Sequence, residues 1–199
     1  QLFASALQKE KFGKTVSVTC GYSGGIYNSG THLIDLLRLY FGEIKSTSAH
    51  FSFNINGNSD DPNIDAFLEF DKNLRVSIQA HALAGIFDID IITTKYKFHI
   101  NAAALFNDRP LLEVEKREEN SYFKGSSKFT RDFDIPDKIS TLSLNTNNNY
   151  MVNGVNHLAN LLDDVGVTPL SAADEALSAL NVLKAIHTSA KNRGQLTFI

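Results

Sequence analysis

The stretch GGIYNSGTHLIDLLRLYFGEI, Gly24–Ile44, carries the densest chemistry of the chain. Two glycines and a small-residue turn lead into an apolar run of helical period. A helix starting near Asn28 or Ser29 places Asn28 and His32 four residues apart, on one face. Asp35 lies three residues beyond His32, on nearly the same side. Leu33, Leu36, Leu37, Tyr40 and Phe41 supply an apolar surface, and Gly42 closes the helix. Asn28, Ser29 and Thr31 are all N-cap residue types. The first turn therefore sets free backbone donors beside a histidine, as a polar active-site wall would.

Outward from this stretch the chain changes period. Upstream, residues 1–13 read as the tail of a helix ending at Gly13, with Phe3, Leu7 and Phe12 as apolar points. Thr15–Gly21 alternates Val16, Val18 and Cys20 with polar residues and reads as a strand. Downstream, Ile44–Asn54 alternates loosely and ends in the turn-rich NGNSDDPN. Ile64–Phe70 and Leu74–Ala80 alternate cleanly around a short Asp71-Lys72-Asn73 turn, a hairpin signature. Phe87–Ile92 and Tyr96–Ile100 alternate too, and Leu111–Glu115 and part of Lys128–Phe133 do so more weakly. About six or seven strands joined mostly by short turns predict a largely antiparallel sheet. Two helices follow. One spans Asn148–Asp164, capped by Asn147 or Asn148 and ended by Gly166. Pro169 then breaks the chain. The other spans Ser171–Asn192, with Ser171 as cap, Asp174 in a near capping box, and Gly194 as stop. Leu196–Ile199 reads as a last strand. The expected fold is α+β: an open, mainly antiparallel sheet with helices on one face.

GGIYNSGTHLIDLL resembles the motif that opens the C-terminal domain of the glucose–fructose oxidoreductase, inositol dehydrogenase and MocA (Gfo/Idh/MocA) family. SAADEALSALNVLKAIHTSAKNRGQLTFI resembles that family's closing helix and last strand. The resemblance implies that residues 1–199 are one substrate-binding and dimerisation domain of a two-domain oxidoreductase. It implies a partner Rossmann domain, N-terminal to this one, that binds NAD or NADP and supplies a catalytic lysine in a Glu-Lys-Pro loop. The substrate class it implies is a hydroxyl or keto group of a sugar, nucleotide-sugar or cyclitol, in carbohydrate metabolism. His32 stands at the family's catalytic histidine. The family has Asp four residues earlier, where this chain has Asn28. Asparagine hydrogen-bonds a hydroxyl or orients an imidazole but takes no proton. Family members commonly associate through the open face of this sheet, which implies a homodimer or higher assembly.

The residues themselves support part of this. Oxidising a secondary alcohol needs a base for the hydroxyl proton, and a histidine titrates near working pH. Asn28 reads as substrate-binding, and Asp35 as structural at the site, orienting the helix. Gln79 and His81, near a glycine turn, read as further substrate-binding residues or as a solvated strand face. No Gly-x-Gly-x-x-Gly follows a strand, no Walker loop occurs, and no Glu-Lys-Pro is present. The chain alone is therefore expected to bind no dinucleotide and to be inactive, whereas the parent protein is expected to be a dehydrogenase or reductase. The other reading is a non-catalytic binding and dimerisation module, its chemistry lost with the change to Asn28.

Composition excludes other classes. A length of 199 residues suits one domain with a full core. A net charge of −3 gives no nucleic-acid footprint. No apolar run approaches the ~20 residues that span a bilayer. The six histidines show no zincin-like spacing, and one cysteine builds no thiolate site, so no metal is expected. No Ser-His-Asp hydrolase is expected. The lone Cys20 excludes an internal disulfide, fits a reducing, cytoplasmic compartment, and reads as a small buried strand residue. Phe67 and Ile92 interrupt the polar sides of their strands, which adds apolar area for a homodimer through the sheet. The start at Gln1 without Met gives the expectation of an excised piece of a longer chain.

Overall fold

The computed structural model describes residues 2–52, 60–101, 112–116, 150–163 and 172–199. The strand expected within Lys128–Phe133, the caps at Asn147, Asn148 and Ser171, and the breaks at Gly166 and Pro169 lie outside these residues.

Among the described residues, eight strands form one sheet in the order β7-β6-β5-β1-β4-β3-β2-β8. They are β1 Thr15–Ser23, β2 Ile44–Phe51, β3 Ile64–Phe70, β4 Arg75–His81, β5 Phe87–Thr93, β6 Tyr96–Asn101, β7 Leu112–Lys116 and β8 Thr197–Phe198. The expected α+β fold with an open, mainly antiparallel sheet is the one found. The count of eight includes the leading and closing strands. One pair is parallel, β1 with β4. The cause is topological. A π turn, Gly25–Ser29, and helix α2, Gly30–Phe41, carry the chain from β1 over the sheet to β2. The meander β2-β3-β4 then returns to lie beside β1.

Alternation decides which face each residue takes. Val18, Cys20 and Tyr22 of β1 share a face with Val76, Ile78 and Ala80 of β4 and with Ile89 and Ile91 of β5. This face is the core, closed by Leu33, Ile34 and Leu37 of α2 and by Val182, Leu183 and Ile186 of helix α4, Ala173–Lys191. Helix α1, Leu2–Gln8, adds Phe3 and Leu7. Phe3 meets Phe12, Tyr40 and Phe98 at ring separations of 5.8, 5.6 and 5.2 Å. Burial of this layer favours folding by ~25 cal/mol per Å² of apolar surface removed from water. The opposite face is open. Across it run Ser48, Phe67, Ser77, Thr19, Asp90, His99 and Glu113, one residue from each of β2, β3, β4, β1, β5, β6 and β7.

Some boundaries and caps differ from expectation. The helix at residues 1–13 ends at Gln8 and continues as turns to Gly13. The N-cap position of α4 is Ala172, whose carbonyl accepts from Glu175 N at 3.1 Å, and no side chain caps it. Helix α3, Tyr150–Asp163, was expected to join the covering layer. It instead leaves Val155, Leu158 and Leu162 exposed, the last at 80%. No helix of the described residues is long and apolar enough to cross a membrane.

Candidate active site around the first turn of α2

The expected caps do not cap. Ser29, at the N-cap position of α2, makes no side-chain cap bond, and the Thr31 hydroxyl donates back to Tyr27 O at 2.5 Å instead of accepting from the helix start. The helical path begins earlier than Asn28, at Gly25, in a π turn. The reason lies 33 residues away, in the loop before β3. The Asp61 carboxylate accepts from Tyr27 N at 2.7 Å and from Asn28 N at 3.2 Å. Pro62 O accepts from Ile26 N at 3.0 Å. A carboxylate from another segment thus occupies the donors that a local cap would have filled. Gly25 makes room for it: with φ +89°, a Cβ built there would sit 2.2 Å from Asp61 Cγ. The sequence signal was present in SDDPN, but it reads only as a turn until the fold brings it to the helix.

On this turn Asn28 and His32 are both exposed and stand one helical turn apart. Asp35 is exposed too, 3.7 Å from Arg38 Nη1 in an ion pair with its own helix. Arg38 itself is only 7% exposed. Its guanidinium donates to both Glu43 carboxylate oxygens at 3.0 and 2.8 Å, and to Glu175 O and Oε2 at 2.9 and 3.0 Å. This joins α2 to α4 and holds the C-terminal half of α2 in place. The Glu43 carboxyl is held below its usual range by the hydrogen bond from Arg38. The helix ends at Gly42, whose N–H bonds Arg38 O at 2.8 Å.

Gln79 and His81 are elsewhere. They alternate with the core residues Ile78 and Ala80 on β4, and so project on the open face. Gln79 pairs with Gly21 and His81 with Ser23. The His81 ring covers Gly21, where a Cβ would lie 3.1 Å from Nε2. The sheet thus separates Gln79 and His81 from Asn28 and His32. The physical reason is the period of two: one residue of register decides the face, and α2 lies on the other.

Sequence reading missed three residues here: Asp61, Tyr27 and His187. Tyr27, within the turn, hydrogen-bonds His187 Nδ1 on α4. Cys20 behaves as read: it is buried, and burial, then the Asp90 charge, raise its pKa and hold the thiol protonated. Tyr22 is fully buried, and its hydroxyl donates to Ile64 O at 2.9 Å while accepting from Ile64 N at 3.0 Å. No group of three or more His, Cys, Asp or Glu able to hold a metal occurs among the described residues.

The strand–glycine–helix connection from β1 to α2 has the outline of a nucleotide-binding turn, yet it does not fit a dinucleotide. Its foremost N–H groups are already bonded to Asp61 and Pro62, and a second anion there would meet the Asp61 charge.

The fold and the turn together define an open, mainly antiparallel sheet with a histidine-bearing crossover helix. Residues 5–97, from α1 to the start of β6, match the family model described as the GFO/IDH/MocA C-terminal domain. No curated protein matches the chain by sequence. Solved structures match in fold. The WlbA dehydrogenase from Bordetella pertussis, solved with NADH and UDP-GlcNAcA, is 19% identical at a TM-score of 0.70, covering 100% of this chain and 60% of that one. A putative NADPH-dependent oxidoreductase from Desulfitobacterium hafniense gives 15%, 0.69, 99% and 60% for the same quantities. Levoglucosan dehydrogenase, solved with NADH and levoglucosan, gives 15%, 0.64, 99% and 62%. The chain therefore spans about three-fifths of the length of the structures it matches.

Proposed function

We propose that residues 1–199 are the substrate-side domain of an NAD(P)-dependent oxidoreductase acting on a hydroxyl or keto group of a sugar, nucleotide-sugar or cyclitol. The observation that carries this reading is the exposed Asn28–His32 pair on an externally capped first turn, within the segment that matches the family model. In this reading His32 exchanges the proton of the reacting hydroxyl. Asn28 holds that hydroxyl or the imidazole through its amide. The Asp61 cap keeps both side chains on one outward face. The dinucleotide belongs to a part of the parent protein other than this chain. The single cysteine supports a cytoplasmic parent. The structural neighbours support the substrate class, since they were solved in complex with UDP-GlcNAcA and with levoglucosan. Gln79 and His81 remain candidates for substrate contact only from the open face of the sheet.

The same open face supports a homodimer. Phe67 is 62% exposed there and Ile92 is half-buried, among small polar residues that allow close approach. The non-catalytic alternative is favoured by one observation, Asn28 where the family has Asp.

The test is kinetic, in the full-length protein. His32→Ala is expected to lower kcat ~10²–10⁴-fold while leaving cofactor affinity unchanged. Asn28→Ala has a smaller effect, and Asn28→Asp raises turnover. Near-full turnover in His32→Ala refutes the catalytic assignment. An inert wild type across both nicotinamides and a sugar and nucleotide-sugar panel favours the binding module.

A further inference from the structure

The π turn carries one side-chain contact that the proposed chemistry leaves unused. Tyr27 leaves the turn one residue before Asn28, and its hydroxyl meets His187 Nδ1 across 160 residues of chain. The two rings stand 5.8 Å apart at 68°. The same imidazole packs edge-on against Phe51, at the end of β2, at 5.9 Å and 84°. Tyr27 is also tied through its backbone. Its N–H bonds Asp61 Oδ1 at 2.7 Å, and its carbonyl accepts from Thr31 Oγ1 at 2.5 Å. One residue therefore links the loop before β3, helix α2 and helix α4, and through His187 reaches β2.

The two ends of the Tyr27–His187 contact are unequal. His187 follows the fully buried Ile186 and precedes the fully buried Ser189, so its backbone is a fixed post on α4. The π turn begins with two glycines at positive φ and is fastened at its N–H groups by Asp61. A cap fixes the height of a helix start, but rotation of the turn about the helix axis needs a lateral tie. Asn28 and His32 take their direction from that rotation. Burial, then the Asp61 charge, raise the Tyr27 pKa, so the phenol is protonated at neutral pH. Burial, then Lys191, lower that of His187, so the imidazole is neutral. One proton lies between a phenol oxygen and an imidazole nitrogen.

We propose that Tyr27 and His187 form a latch that positions the Asn28–His32 pair, the Tyr27 hydroxyl donating to Nδ1 and holding His187 as its Nε2–H tautomer. Both are positioning residues. The catalytic consequence rests on the reading of His32 given above; the tautomer and the latch do not.

Two measurements separate them. In this 199-residue protein, nitrogen-15 spectra of the histidine rings report the tautomer. The expected result at pH 7.5 is an unprotonated Nδ1 on His187. Tyr27→Phe, which keeps the ring and removes only the hydroxyl, shifts the Nδ1 resonance of His187 to that of an imidazole nitrogen without a donor and shifts the backbone amides of Asn28 and His32. His187→Asn keeps an acceptor oxygen near the Nδ1 position and restores those amides, whereas His187→Ala behaves like Tyr27→Phe. A protonated Nδ1 in the wild type, or unmoved Asn28 and His32 amides in Tyr27→Phe, overturns the latch. In the full-length enzyme, Tyr27→Phe and His187→Ala are expected to lower kcat ~10–10²-fold with little change in KM, as small misplacements of reacting groups do, and His187→Asn to recover most of it. Unchanged turnover in Tyr27→Phe where His32→Ala abolishes it overturns the latch and leaves the site reading intact. Unchanged turnover in His32→Ala with the expected spectra overturns the site reading and leaves the latch standing.

Discussion

Removing the Asp61 carboxylate tests whether a distant loop sets up the first turn of α2. In Asp61→Ala the N–H groups of Tyr27 and Asn28 lose acceptors at 2.7 and 3.2 Å. Loss of an N-cap acceptor costs ~0.5–2 kcal/mol, and loss of a negative charge at a helix start adds ~0.3–1 kcal/mol. Tyr27 and Asn28 are exposed, so water replaces part of the loss, and about 2 kcal/mol is the expected total. For a chain of this size that is a fall in Tm of about 4–8 °C. Gly25→Ala reaches the same contact from the other side. Its φ of +89° disfavours a side chain by about 1–2 kcal/mol, and its Cβ would lie 2.2 Å from Asp61 Cγ, displacing the carboxylate. The single change is therefore expected to cost about 3–4 kcal/mol, strain plus the lost cap. The double variant costs about the same as Gly25→Ala alone, because the cap is lost only once, leaving a coupling of about 2 kcal/mol. Urea unfolding of the four proteins measures the cycle. Additive effects, or an Asp61→Ala change within ~0.5 kcal/mol of zero, refute the reasoning.

Three further outcomes follow from other parts of the molecule. Phe67→Glu is expected to convert a dimer to monomer in sedimentation at micromolar concentration, with Tm nearly unchanged, because Phe67 is 62% exposed on the open face; a wild type that stays monomeric when concentrated ends the pairing idea. Arg38→Met is expected to cost about 1–3 kcal/mol, the carboxylates of Glu43 and Glu175 being exposed enough to rehydrate. Glu43 has a depressed folded pKa, so its contribution is complete above the unfolded value of about 4.3 and is lost as pH falls through the lower folded value; Arg38→Met should flatten this acid limb, and an unchanged limb contradicts the assignment. Calorimetry with NAD and NADP should show no binding to the chain tighter than ~100 μM, about 5.5 kcal/mol; a tighter site contradicts the reading of the occupied helix start.

Much of this architecture is written locally. The period-two run Ile64–Phe70 matches its strand residue for residue, the run Phe87–Ile92 stops one residue short of the end of β5, and the run behind β4 is displaced by one residue, because alternation is a property of neighbours in the chain. The helical spacing of Leu33, Leu37 and His32 likewise put the histidine outside and the leucines inside. The Gly24-Gly25 turn and the family resemblance were legible for the same reason: all their parts lie within one short segment. What the chain order hides is anything made by two segments. Local composition suggested Asn28, Ser29 or Thr31 as caps; the cap came from Asp61, because the β2–β3 return brings that loop to the helix start. Alternation put Gln79 and His81 together, but only the path of α2 over the sheet decided that His32 lies on the other face. Tyr27 and His187 look unrelated at opposite ends of the sequence. Folding brings their side chains into contact, because α4 packs beside β2 on the same face as α2, and that juxtaposition exists only in three dimensions.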